Sequence, residues 1–218
     1  MPTLKWDETG KRLFETGTDR GVLYVLEDDG TYGEGVAWNG LTAVRQSPDG
    51  AEPNDIYADN MKYLSLKSQE NFKGTIEAYT YPAEFEACEG VLEVEPGLTI
   101  GQQTRHSFGM SYRTLIGNDT KGTDYGYKIH VIWGASVTPS ERSFETINDT
   151  PNAITFSWDF DTIPQQIEGF KPSAKMTIDS TTIDEAKLTQ IEAVLYGSAE
   201  EAASIPTPEE LIALVKGA

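Results

Sequence analysis

The chain has 218 residues and carries 35 acidic against 17 basic side chains, a formal net charge of −18. An excess of that size excludes tight binding to DNA or RNA, which needs cations to replace phosphate counterions, and it repels an anionic membrane surface. Two histidines and a single cysteine leave little material for nucleophilic catalysis or a zinc site.

No apolar run approaches the roughly 18 residues of a membrane span. The opening Met1-Pro2-Thr3-Leu4-Lys5-Trp6 has no secretory signal pattern, and the lone Cys88 fits a reduced, cytoplasmic place of synthesis. In chain order, Asp28-Asp29-Gly30 marks a first turn. The stretch 40–66 then holds Pro48, Asp49, Gly50, Pro53, Asn54 and Asp59 among few core-type residues. It reads as a long loop or hairpin between strands, and loops of that length are usually functional or disordered. Its Ile56, Tyr57, Met61 and Leu64 favour docking on another surface over disorder.

Strand-like runs follow at Thr75–Tyr81 and Val91–Val94, with the acids Glu77 and Glu93 alternating against apolar neighbours. Cys88 lies between them, flanked by acids that raise its thiol pKa, and reads as a small core residue. The surrounding Glu84, Glu86, Glu89, Glu93 and Glu95 have neither EF-hand spacing nor a defined carboxylate pair. His106 and His130 both fall on strand-like segments without a catalytic signature around them. Turns at Gly117-Asn118-Asp119 and Gly122-Thr123-Asp124 precede a strand at Lys128–Trp133.

The clearest strand is Ile154–Phe160, where Ile154, Phe156, Trp158 and Phe160 share one face and Thr155, Ser157 and Asp159 the other. Asp161 follows in register with the polar set. A last strand is read at Lys175–Ile178. Helices come late: Thr182 and Glu185 make a capping box for a helix over 182–196, with Leu188, Ile191 and Leu195 on one side and Gly197 at its end. Thr207, Pro208 and Glu210 open a short second helix carrying Leu211 and Ile212, within an extension over 198–218. Many short strands with Gly and Asx turns predict a mainly β chain, an antiparallel β-sandwich with one flanking helix and a short C-terminal helix.

Several segments resemble the major tail proteins (tail tube proteins) of long-tailed, siphovirus-type bacteriophages and prophages of Gram-positive bacteria. They include Lys5-Trp6-Asp7-Glu8-Thr9-Gly10-Lys11-Arg12, Gly35-Val36-Ala37-Trp38-Asn39-Gly40, Ala58-Asp59-Asn60-Met61-Lys62-Tyr63-Leu64 and Thr75-Ile76-Glu77-Ala78-Tyr79-Thr80-Tyr81-Pro82. The pattern continues through Gly97-Leu98-Thr99-Ile100-Gly101 and Tyr112-Arg113-Thr114-Leu115-Ile116-Gly117-Asn118.

The resemblance implies a single tail-tube domain over 1–218, with an N-terminal arm at 1–17. It implies hexameric rings that stack into a tube in the virion tail, assembled in the host cytoplasm, with no enzyme activity and no cofactor. Viral DNA would pass through without specific binding. Partners would be the chain itself and the tape measure, tail terminator and distal tail proteins. Ile56, Tyr57, Met61, Leu64, Leu211 and Ile212 are then candidate inter-subunit contacts. Glu77, Glu93, Asp159 and Asp161 are candidate lumen residues, since carboxylates repel phosphate. The rival expectations are a carbohydrate- or receptor-binding β-sandwich, or a metal-assisted hydrolase with carboxylates converging on one pocket.

Overall fold

A computed structural model describes residues 3–147, 149 and 152–217. Strands run in the order β1 (Leu13–Val25), β2 (Val36–Trp38), β3 (Leu41–Gln46), β4 (Asp49–Gly50), β5 (Pro53–Ala58), β6 (Met61–Lys67), β7 (Glu70–Asn71) and β8 (Lys73–Ala78). A one-turn helix α1 (Phe85–Glu89) follows, then β9 (Leu92–Glu95), β10 (Leu98–Ile100), β11 (Phe108–Asn118), β12 (Gly122–Val137), β13 (Phe156–Thr162) and β14 (Lys175–Asp179). Two helices, α2 (Glu185–Tyr196) and α3 (Pro208–Lys216), close the described chain. The fold is mainly β, with antiparallel pairing throughout, as the alternation and turn residues predict.

The principal sheet has the order β2-β1-β11-β12-β13-β8-β3, with β14 also paired to β12. The long β12 changes partner along one edge: Lys128–Ile132 pair with β14, and Ala135–Val137 pair with β13. Gly134 sits at the switch with φ +60°, where a Cβ would stand 2.6 Å from the Ile163 carbonyl oxygen. Only glycine meets both demands. The strand row then curls back on itself, bringing Leu41 of β3 to 3.0 Å from the place a Cβ on Gly21 of β1 would occupy.

Inside the curl lies an aromatic core. Trp38 packs on Phe85 at 4.6 Å between ring centroids, and Phe85 meets Trp158 edge-on at 5.1 Å. Phe108, Met110, Tyr112 and Ile132 complete it. The opposite face of the same sheet buries Val22, Tyr24, Ile129, Val131 and Trp133 under Leu188, Ile191 and Leu195 of α2 and Leu211 of α3. Both faces of β12 are therefore dry over Ile129–Trp133, where alternation sends Ile129, Val131 and Trp133 to the helices and Ile132 to the curl; past Gly134 the phase reverses, and Ala135 and Val137 face the curl.

Three sequence readings change here. The cap of α2 is Asp184, whose side chain accepts from the Ala186 and Lys187 amides, so the helix starts at Glu185 and not at Thr182. An aspartate carboxylate at the N-cap both binds those free amides and meets the positive end of the helix dipole. Thr182 instead bonds back to the Asp179 carbonyl. The stretch 40–66 is divided: β3 belongs to the main sheet, and the projecting part runs over 49–71. Leu211, read as a contact for another subunit, is 2% exposed and belongs to the chain's own core. α3 opens at Pro208 as expected, under a capping box of Thr207 with Glu210, and the Trp133 indole N–H donates to the Pro206 carbonyl at 2.9 Å, so the segment docks on its own sheet.

Candidate assembly surfaces

The residues with chemical potential are taken up structurally. His130 is 7% exposed, stacked on Tyr112 at 4.8 Å, with hydrogen bonds to Thr114 and Thr177. Burial, reinforced by the nearby Lys175 and Lys128 and opposed by Glu15, pulls its pKa down to about 4, so the ring is neutral near pH 7. The His106 ring bonds to the Leu26 carbonyl oxygen through Nδ1 at 3.1 Å. Cys88 is fully buried and its thiol is pushed up to about 12, by burial first and by Glu89 second, so desolvation outweighs the flanking acids invoked from sequence. Glu89 accepts from the Trp158 indole at 2.7 Å and pairs with Arg142, whose guanidinium lies over Tyr81 and Phe156.

The cavity between β11, β12 and α2, about 670 Å³, is lined by Arg113, Tyr127 and Glu192 among others. Its Arg113 and Glu192 are already partnered, Glu192 by the Tyr127 hydroxyl at 2.7 Å. Asp19 accepts two hydrogen bonds from Arg113, at 2.7 and 2.6 Å, and that contact holds its carboxyl below the usual range. Arg113 also stacks on Tyr127, 4.7 Å from the ring centroid. Among the described residues no three His, Cys, Asp or Glu side chains are grouped to hold a metal, and no helix is long and apolar enough to cross a membrane.

Sheet edges and apolar hairpin faces remain uncovered among the described residues. The four strands β1-β11-β12-β14 end in two unpaired edges. Among the described residues, β2 covers only Gly21–Leu23 of β1, leaving Leu13–Arg20 without a second neighbour, and β14 pairs on one side only, with β12. Beside β14 lies an apolar groove of about 280 Å³ lined by Met176, Ile178, Leu211, Ile212 and Val215. Ile212 thus stands at a surface that Leu211 supports from beneath.

Two hairpins project with bare apolar faces. In β5–β6, the pairs Asn54↔Leu66, Ile56↔Leu64 and Ala58↔Met61 share one face, while Asp55↔Ser65 and Tyr57↔Lys62 share the other. Asp59 and Asn60, at φ +51° and +61°, form its two-residue turn, the primed type that suits the twist of a hairpin. The Asp59-Asn60 pair is a turn sequence from which this tip could have been placed, and the sequence reading located only a loop or hairpin over 40–66. Ile56, Leu64, Leu66 and Met61 are 37–64% exposed, and Tyr57 on the opposite face is 68% exposed. In β9–β10, Leu92 faces Ile100, with Val94 and Leu98 on the same side, all 48–60% exposed.

The lumen candidates separate accordingly. Glu77, Asp159 and Asp161 share the outward face of β8 and β13, where Ser157↔Glu77, Asp159↔Thr75 and Asp161↔Lys73 are paired positions. Glu77 is bonded to Arg45 at 3.1 Å, and Asp159 accepts from the Thr75 hydroxyl at 2.6 Å. Glu93 is apart from them, on the bare β9–β10 hairpin, where it accepts from the Gly97 amide. The expectation that Glu93 backs onto a core fails, because Leu92 and Val94 are both 56% exposed.

No protein-family model matches the chain, and no curated protein matches it. Among solved structures it is similar to a chain of the 6-fold symmetrised cryo-EM structure of the anti-feeding prophage (AFP) baseplate, at 8% identity and a TM-score of 0.37, over 76% of this chain and 95% of that one. It is also similar to a chain of the extended sheath-tube complex of an extracellular contractile injection system (PVC), at 12% identity and a TM-score of 0.33, over 73% and 88%. At this level of similarity the chain's own surfaces, and not these likenesses, decide what it does.

Proposed function

We propose that the chain is a structural subunit of a phage tail tube, a non-enzymatic protein that closes into hexameric rings stacked around a bore for DNA. The observation that carries this reading is the pair of open edges on β1 and β14. Across β1-β11-β12-β14 every pairing is antiparallel, so β1 and β14 run in opposite senses. The β14 edge of one copy therefore accepts the β1 edge of the next as another antiparallel strand. An edge left bare is an aggregation hazard; a head-to-tail joint used by every copy pairs every β1 and β14 edge once the ring closes.

The groove beside β14 gives that joint an apolar floor, and of the adjacent exposed residues Leu13 and Phe14 of β1, which point to opposite faces of the strand, one supplies a side chain to cover it. The sequence resemblance supplies the number six and the tube. In this arrangement α2 and α3 lie outward and the β3-β8-β13 face looks toward the bore. Asp159 and Asp161 are its strongest phosphate-repelling groups, since Glu77 is paired with Arg45.

Electron microscopy of the purified protein tests the reading. Rings or tubes are expected, with more polymer at higher salt because screening weakens repulsion between subunits of charge −18. Val215→Glu, which places a charge in the groove, is expected to leave a folded monomer without rings. Discrete monomers of the unaltered protein at high concentration and high salt would overturn the proposal.

A further inference from the structure

We infer that the apolar face of the β9–β10 hairpin is the docking site for the β5–β6 hairpin of a second copy of this chain. The inference rests on the tube reading, in which copies stack, and names the two surfaces that meet. Isolated two-stranded hairpins are marginal in water, and each of these exposes on one side the residues a sheet normally buries. Ile56, Met61, Leu64 and Leu66 form one such face; Leu92, Val94, Leu98 and Ile100 form the other. They are similar in size and chemistry, and face-to-face packing of two sheets about 10 Å apart would cover both.

Three observations choose a second copy as the occupant and this pairing as the mode. First, saturation: every copy carries one of each face, so a heterologous contact covers both faces in every interior copy of a stack. Pairing of like with like through β5–β6 leaves each β9–β10 face in water. Second, charge: β5–β6 carries Asp55 and Asp59 against Lys62 and Lys67 and is neutral, whereas β9–β10 carries Glu93 and Glu95 with no cation. Two β9–β10 hairpins repel each other, and the neutral hairpin is the one apolar arm of this acidic chain that approaches them without added repulsion. Third, area: a stable interface needs roughly 20–30 residues a side, more than one hairpin offers. A single contact of this size does not hold a pair of free monomers together. Repeated around a ring it does, because after the first contact the others form at high effective concentration.

The test uses the full chain, assembled at high salt and imaged. Leu98→Asp and Leu64→Asp, each on an exposed hairpin, are expected to melt as the unaltered protein does and to abolish stacks of rings while single rings persist. Normal stacking by Leu98→Asp would overturn the inference and leave the ring reading standing. Loss of rings in the unaltered protein would remove both. To identify the partner surface, Leu64→Cys and Leu98→Cys proteins are mixed, assembled and treated with a short bismaleimide; Cys88 is buried and does not compete. A dimer band several-fold stronger in the mixture than in either protein alone is expected. A band of equal strength with Leu64→Cys alone means that like faces pair, and overturns the proposed mode.

Discussion

The β11–β12 hairpin and the β5–β6 hairpin are both long antiparallel pairs with apolar residues at alternate positions, yet their surroundings are opposite. In the first, Ile129 to Trp133 are shut away from water on both sides, by the helices on one face and by the curled sheet on the other. In the second, no residue is buried. Alternation reports that a strand has an apolar face. It is silent on what covers that face, and in this chain the difference separates what holds the fold together from apolar surface that the fold leaves in water.

The comparison is sharpest for one substitution made in two places. Leu195→Ala, at a fully buried position under the sheet, is expected to cost about 2–5 kcal/mol, the usual range for a core leucine replaced by alanine. Chemical denaturation measures it, and a loss under 1 kcal/mol would mean that the helix layer is not core. His130 is the next largest effect. Its folded pKa of about 4 lies below the ordinary 6.5, so between those values the unfolded chain binds the proton and the folded chain does not. The contribution is fully present above pH 6.5 and is lost as pH falls toward 4, up to about 3 kcal/mol in all. His130→Asn should flatten the dependence of melting temperature on pH in that window; an unchanged slope would show that other groups set it.

Asp184→Ala, which removes the α2 cap, is expected to cost about 1 kcal/mol in the same denaturation experiment. Smallest is Leu98→Ala on the bare β9–β10 hairpin, expected within about 0.5 kcal/mol of the unaltered monomer. A loss comparable to that of Leu195→Ala would erase the distinction between the two regions.

Much of the subunit was legible before the structure. Phe156, Trp158 and Phe160 fall on the buried side of β13 as alternation requires, although Ile154, at the head of the same run, lies outside the strand and is 38% exposed. Thr207-Pro208-Glu209-Glu210 begins α3 as written, because a capping box is local chemistry. Asp184 was overlooked for a local reason too: Thr182 and Glu185 match the same motif, and the winner was decided by the Asp179 turn that occupies Thr181 and Thr182. The bare face of Leu92 and Val94 was not legible, since its pattern is that of a core strand. Neither was the Glu89–Arg142–Trp158 contact, whose members are 53 and 69 positions apart. Of the candidate site, Ile56, Met61 and Leu64 could be recognised as surplus apolar residues in a turn-rich stretch. Leu211 could not be told from them, because whether a terminal helix turns inward depends on the groove it meets.

The same topology sets an order of events in time. Asp19 and Arg113, joined across β1 and β11, are 94 positions apart, so the principal sheet closes only after a long chain search. The β5–β6 turn spans two residues, and hairpins of that kind form in about 1–10 μs. The apolar arm thus forms and reopens many times before the body that carries it closes, on chains whose sheet edges are still unpaired. During that interval, the excess of negative charge keeps half-folded copies from meeting too soon.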